Sequence, residues 1–332
     1  MKRLMTLLMC LLLTGCAALP AEERSFAVAL GVAGGTGAWR VYARIPTYRT
    51  GGGYTTVSGE GDTLPHALAA LDAAAPMQLH LGQLRLMIFS ADTARSADFP
   101  AALATLGDRH DLRADASLAI TEDGLGALMD ALKPATGARL SKSLDVLMET
   151  RLEQGTVPRA ALADVLRMDD RQQPVLMNIA LDGKDITLSG GWPIGSDGSA
   201  AWMLTPEEVQ LLSLMQGRLK RGVLSLAEGT VRLTDVSADV ELSVPTLQTA
   251  SVRLILGISA SPLTEEALSQ ATATACLGLL GRLSAVGCDA LGLGRQAVAH
   301  AKDAADWDAL DWPQRYREIV WTVSVGVEGA AE

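Results

Sequence analysis

The chain opens on Lys2 and Arg3, an apolar run from Leu4 to Leu13, and then Thr14-Gly15-Cys16. A basic start, a short greasy run and small residues before a cut site make a secretory signal peptide. The run reaches only about half of the ~20 residues that a spanning helix needs. Leu13-Thr14-Gly15-Cys16 is a lipobox. Cleavage is expected between Gly15 and Cys16, and the Cys16 thiol is expected to carry diacylglycerol. Such a protein is anchored to a membrane and does not span it. A lipidated tether is expected at residues 16–24, ahead of the folded part.

The 332 residues leave room for two or three domains, and 48% of them are apolar, enough to bury real cores. The formal net charge is −10 with no Lys/Arg run, so phosphate-backbone binding is not expected and no nucleic acid is assigned. Of the four cysteines, Cys10 leaves with the signal and Cys16 takes the lipid. Residues 263–286 read as one helix, and the spacing of Cys276 and Cys288 along a helix is a rise of ~18 Å. A disulfide needs Cα atoms within about 7 Å. A sharp turn near Gly287 would bring the pair back within reach, but two buried free thiols are the favoured expectation.

Ser25 to Ala33 reads as a buried strand, followed by a turn at Gly34-Gly35-Thr36-Gly37. Trp39, Val41, Ala43 and Ile45 alternate with Arg40, Tyr42 and Arg44, which predicts a second strand with one wet face. Asp62-Thr63 caps a helix to about Ala74. A strand at 84–89, a helix at 97–107, a strand at 114–121 and a helix at 123–132 follow. Interleaved strands and helices argue an α/β or α+β layer. Lys133 to Gly137 breaks the pattern. Helices at 140–153 and 159–167 precede strands at 174–181 and 185–192, joined at Asp182-Gly183. A short strand is expected at 201–204. This part is expected to be a sheet with helices on one side. Thr205-Pro206-Glu207-Glu208 carries a capping box and an early proline, and opens a helix. Long strands at 221–227, 230–244 and 249–259 lead to the helix 263–286 and a second helix at 292–303. A last strand spans 319–327. The expected division is domain I at 25–135, domain II at 136–219 and domain III at 220–332.

Chemistry is sparse. His66, His80, His110 and His300 share no metal spacing. The glycine-rich turn precedes a strand and lacks the phosphate-loop lysine. No Gly-x-Ser-x-Gly elbow is present. Glu207-Glu208 and the Asp235/Asp239 pair read as a helix start and a solvated strand face. No catalytic, metal or cofactor-binding residue is assigned, and no enzyme is expected. Trp307, Trp312, Tyr316 and Trp321 are expected to form a structural aromatic cluster that closes the last core.

The order of segments resembles the Ger(x)C family, the lipoprotein C subunits of spore germinant receptors. Glu23 to Gly31 is similar to that family's first strand, and Leu79 to Ser90 to its polar-Leu-Lys/Arg-strand segment. Asp108-Arg109-His110-Asp111-Leu112-Arg113 resembles its Arg-Asp-x-Glu-Leu-Arg element. Gly191, Trp202 to Glu208 and Met215-Gln216-Gly217 resemble a segment that ends in a helix and a glycine. Asp289 to Gly294, then Trp307, Trp312 and Tyr316, resemble a closing Asp-x-x-Gly, Trp, Trp, Phe/Tyr pattern. Ala17-Ala18 stand where the family usually carries Trp-Asp. The resemblance implies an α+β protein of three mixed α/β domains with unusual topology. It implies a non-enzymatic subunit beside polytopic A and B membrane subunits, lipid-anchored through Cys16 on the outer face of the spore inner membrane. The competing expectation is a solute-binding lipoprotein of a transporter, which requires two similar lobes around a pocket. A secreted hydrolase lacks a nucleophile or metal constellation.

Overall fold

The computed structural model describes residues 23–47, 53–134, 138–166, 171–244 and 246–329. Gly15, Cys16 and the tether up to residue 22 lie outside the described residues. Behind them, β1 (Arg24–Phe26) pairs in parallel with β5 (Gln78–His80). The expected strand from Ser25 to Ala33 is therefore two strands. The chain leaves β1 at Ala27-Val28 and enters the main sheet as β2 (Ala29–Gly35).

That sheet has seven strands. Its centre is four parallel strands: β2, β6 (Leu86–Ser90), β7 (Ser117–Thr121) and β8 (Val175–Asp182). β3 (Ala38–Pro46) and β4 (Tyr54–Gly61) extend it antiparallel at one side, and β9 (Asp185–Pro193) at the other. Alternate residues of the central strands enter two different cores. Leu30, Val32, Met87, Phe89, Leu118 and Ile120 face one, with α1 (Leu64–Ala74), α2 (Ala91–Arg95), α3 (Phe99–Gly107) and α6 (Leu162–Leu166). Ala29, Leu86, Ile88, Ala119 and Met177 face the other, with α4 (Leu125–Ala131) and α5 (Leu140–Glu153). Burial on both faces is why these strands read as unbroken apolar runs. β4 was not anticipated. Its Gly59 lets α1 lie directly on it, since a Cβ there would overlap the Leu71 backbone.

Two expectations are corrected here. β7 pairs with β8, Ala119 opposite Met177 and Ile120 opposite Asn178. The sheet runs unbroken across 133–138, so 25–135 and 136–219 do not have separate sheets. Helices also cover both faces in the second stretch: Leu144 and Met148 of α5 in one core, Leu162 and Val165 of α6 in the other. The connection from β7 to β8 passes both faces, and one-sided packing has no place in it. The expected strand at 201–204 contributes only the bridges Ile194–Ala200 and Gly191–Leu204.

The capping box at Thr205 forms as read, with the Thr205 hydroxyl accepting from the Glu208 N–H and the Glu208 carboxylate from the Thr205 N–H. It opens α7 (Pro206–Met215), which is buried on nearly every side from Val209 to Met215. The Gln210 amide donates to the carbonyls of Gln154 and Val223, tying the end of α5 to the next sheet. That sheet has the order β10 (Gly222–Leu226), β11 (Gly229–Leu242), β12 (Thr249–Ala260), β13 (Val320–Gly329). β12 alternates Val252, Leu254 and Leu256 inward with Arg253 and Ile255 outward. The inward set packs on α8 (Glu265–Ala285), and the chain returns as β13, parallel to β12. Three short helices intervene: α9 (Leu293–Val298), α10 (Ala304–Leu310) and α11 (Trp312–Arg317). The helix expected at 292–303 is thus only its first part.

Candidate functional site

α8 stops at Gly287, which takes the left-handed φ of 69° that a glycine adopts without steric cost. The turn drives Cys288 and Asp289 to 0% exposure. The Asp289 carboxylate accepts from the N–H groups of Leu293 at 2.9 Å and Gly294 at 2.7 Å, and from the Trp312 indole N–H at 3.2 Å. It thereby satisfies the free donors at the start of α9. Burial pushes its pKa up to about 6, against the pull of these donors. The Asp289 backbone N–H donates to Gln173 Oε1 at 3.0 Å, and the Gln173 N–H returns a bond to the Asp289 carbonyl at 3.3 Å. Asp289 therefore joins the end of α8, the start of α9, the aromatic region and the segment that enters β8. A Cβ on Gly294 would meet Trp312 Nε1 and the Arg171 backbone, so only glycine fits between them.

The four aromatic residues singled out in the sequence form one file. Ring centroids lie 6.2 Å apart from Trp307 to Trp312, 6.1 Å from Trp312 to Tyr316 and 6.1 Å from Tyr316 to Trp321. Trp307, Trp312 and Tyr316 are buried against Leu242, Leu247 and Ala250 at the end of the four-stranded sheet, and Trp321 is half-buried. The Trp321 indole donates to Ser284 Oγ at 2.8 Å and ties β13 to α8. Asp311, at a φ of 47°, makes the corner between α10 and α11 that sets Trp307 against Trp312. Cys276 and Cys288 are both buried and unpaired, and burial pushes the Cys276 thiol up to about 12.

Of the other sequence candidates, His80 and His110 line one shared cleft with Arg109 and Asp111, and the rest are apart from one another. His66 pairs with Asp62, and the His80 ring lies against Phe26. Among the described residues no group of three His, Cys, Asp or Glu side chains could hold a metal ion. Gly34-Gly35-Thr36-Gly37 is the β2–β3 turn, and its Thr36 N–H donates to Asp98 at 2.6 Å. Glu208 is spent on the cap and on Arg282. Asp239 lies 4.0 Å from Arg253 on the exposed face of β11 and β12. A crevice of about 920 Å³ opens over the carboxyl ends of β2, β6 and β7. The chain after β6 goes to one face and the chain after β7 to the other, the arrangement that opens a crevice in an α/β sheet. Both arginines of its walls are paired, Arg40 with Glu60 and Arg95 with Glu122, while Asp123 accepts from the Leu181 N–H. No nucleophile with an oriented base stands in it.

No curated protein shows significant sequence similarity to the chain. The fold is similar to the crystal structure of the GerBC protein, with a TM-score of 0.54 and 11% identity over 92% of this chain and 98% of that one. Residues 19–181 match the spore germination protein N-terminal domain. With the closing Asp-x-x-Gly and tryptophan pattern now placed as one packed junction, the chain belongs to the Ger(x)C family of spore germination proteins.

Proposed function

We propose that this protein is the lipid-anchored C subunit of a spore germinant receptor. In this reading it acts beside polytopic A and B subunits, on the outer face of the spore inner membrane, in nutrient-triggered germination. The observation that carries the reading is the germination-domain match, which starts at residue 19, just behind the lipobox cysteine Cys16. Among the described residues no helix is long and apolar enough to cross a membrane, so attachment in this reading falls to the lipid. The two larger sheets, of seven and four strands, are unlike each other, which speaks against the paired lobes of a solute-binding lipoprotein. The test is purification from spore membranes. The wild-type chain should bring two multi-spanning proteins with it, and mass spectrometry should find diacylglycerol on Cys16. Cys16→Ala should lose the lipid and leave the membrane fraction. A wild-type chain without lipid, or a Cys16→Ala chain that stays in the membrane fraction, overturns the anchoring.

A further inference from the structure

Behind the Gln173–Asp289 link, a cavity of about 410 Å³ lies where the seven-stranded sheet meets the four-stranded unit. Its lining includes three exposed arginines from three separate places: Arg159 ahead of α6, Arg218 behind α7 and Arg295 on α9. Asp164 is the one carboxylate among the lining residues. None of the three arginines forms an ion pair among the described residues. Elsewhere in this chain of net charge −10 eight described arginines have a carboxylate partner, among them Arg40, Arg95, Arg109, Arg113 and Arg282. Gln172 and Gln216 add neutral polar walls, and the Gln216 amide is held by the Ala290 carbonyl at 2.8 Å.

Three cations against one carboxylate in a concavity repel one another on balance, and a cleft lined mainly by one sign focuses its field inward. Desolvation holds the Arg218 guanidinium below its ordinary pKa, and Arg159 pushes it the same way, only partly offset by Asp164. Planar guanidinium groups arriving from several sides match the oxygens of a phosphate, which they bind in bidentate pairs. The size fits a compact ligand. We propose that Arg159, Arg218 and Arg295 form a binding site for a phosphate-bearing anion, either a free phosphate compound or a lipid headgroup. This site does not depend on the receptor assignment.

The test uses the full lipidated chain in phosphatidylcholine nanodiscs, titrated with inorganic pyrophosphate at constant ionic strength. Saturable binding and a rise in melting temperature are expected. Arg218→Gln and Arg159→Gln, on different elements, should each weaken binding at least ~10-fold. Arg253→Gln, on the outer face of β12, should leave it unchanged. Without anion, Arg218→Gln should melt at or above the wild type, since it removes a repulsion. In phosphatidylglycerol nanodiscs an unchanged pyrophosphate affinity identifies a free anion, and an affinity lowered ~10-fold by competition identifies the headgroup. Three results overturn the site. One is the absence of saturable pyrophosphate binding in phosphatidylcholine. Another is equal weakening by Arg253→Gln. The last is an anion-free melting temperature of Arg218→Gln below wild type, which makes Arg218 a structural residue.

Discussion

Asp289 ties four parts of the structure together through its backbone and its carboxylate. Its carboxylate is buried from solvent, among two backbone N–H groups and an indole. An aspartate in the unfolded chain titrates near ~4, whereas this one is pushed up to about 6. The folded state therefore holds a proton that the unfolded chain has lost between these values. Stability from this group is greatest below its unfolded pKa and falls as pH rises through its folded pKa, by about 3 kcal/mol in all. The neighbouring Cys288 thiol and Tyr316 hydroxyl are also raised by burial and stay neutral across this range. Asp289→Asn cannot ionise, but it turns an NH2 group toward donors, so it should be less stable than wild type at pH 4. The gap in melting temperature between the two should then narrow between pH 4 and pH 7. A gap that stays constant over that range would show that Asp289 does not titrate there.

At the scale of elements, α10, α11 and β13 are held to the sheet by a file of rings, not by a long helix. Trp312 is its midpoint, touching Trp307 and Tyr316 and bonding Asp289. Truncating a buried tryptophan costs about 3–5 kcal/mol. Trp312→Ala should lower the melting temperature by several degrees. If it melts as wild type does and instead loses partner subunits on purification, the rings serve docking and not the core. The pairing of Trp312 with Tyr316 was legible, because residues four apart share a helix face. The contact with Asp289 was not. The two lie 23 positions apart, and only the turns at Gly287, Gly292 and Asp311 bring them together. The closing motif named Asp289 without disclosing what its carboxylate does.

At the scale of the whole molecule, the joint near 217–221 and the break at 133–138 are different in kind. The first separates two sheets, whereas β7 and β8 stay hydrogen-bonded across the second. We propose that residues 25–219 unfold together. Limited trypsin digestion should cut first at the exposed Lys220 and Arg221. Fragments made by an engineered protease site at 133–138 should still elute as one species in gel filtration. Their separation under native conditions would restore 25–135 and 136–219 as independent domains. Signals that act within a few residues were readable: the Thr205 capping box, the turn after Asp182, the bounds of α5 and the in-out alternation of β12. A cap bonds three residues away and a strand alternates every second residue, so the sequence by itself determined them. Tertiary structure alone decided that β8 joins β7, that Gln173 meets Asp289 and that three arginines face one cavity. These contacts depend on which distant surfaces bury each other best, and no local spacing encodes that choice.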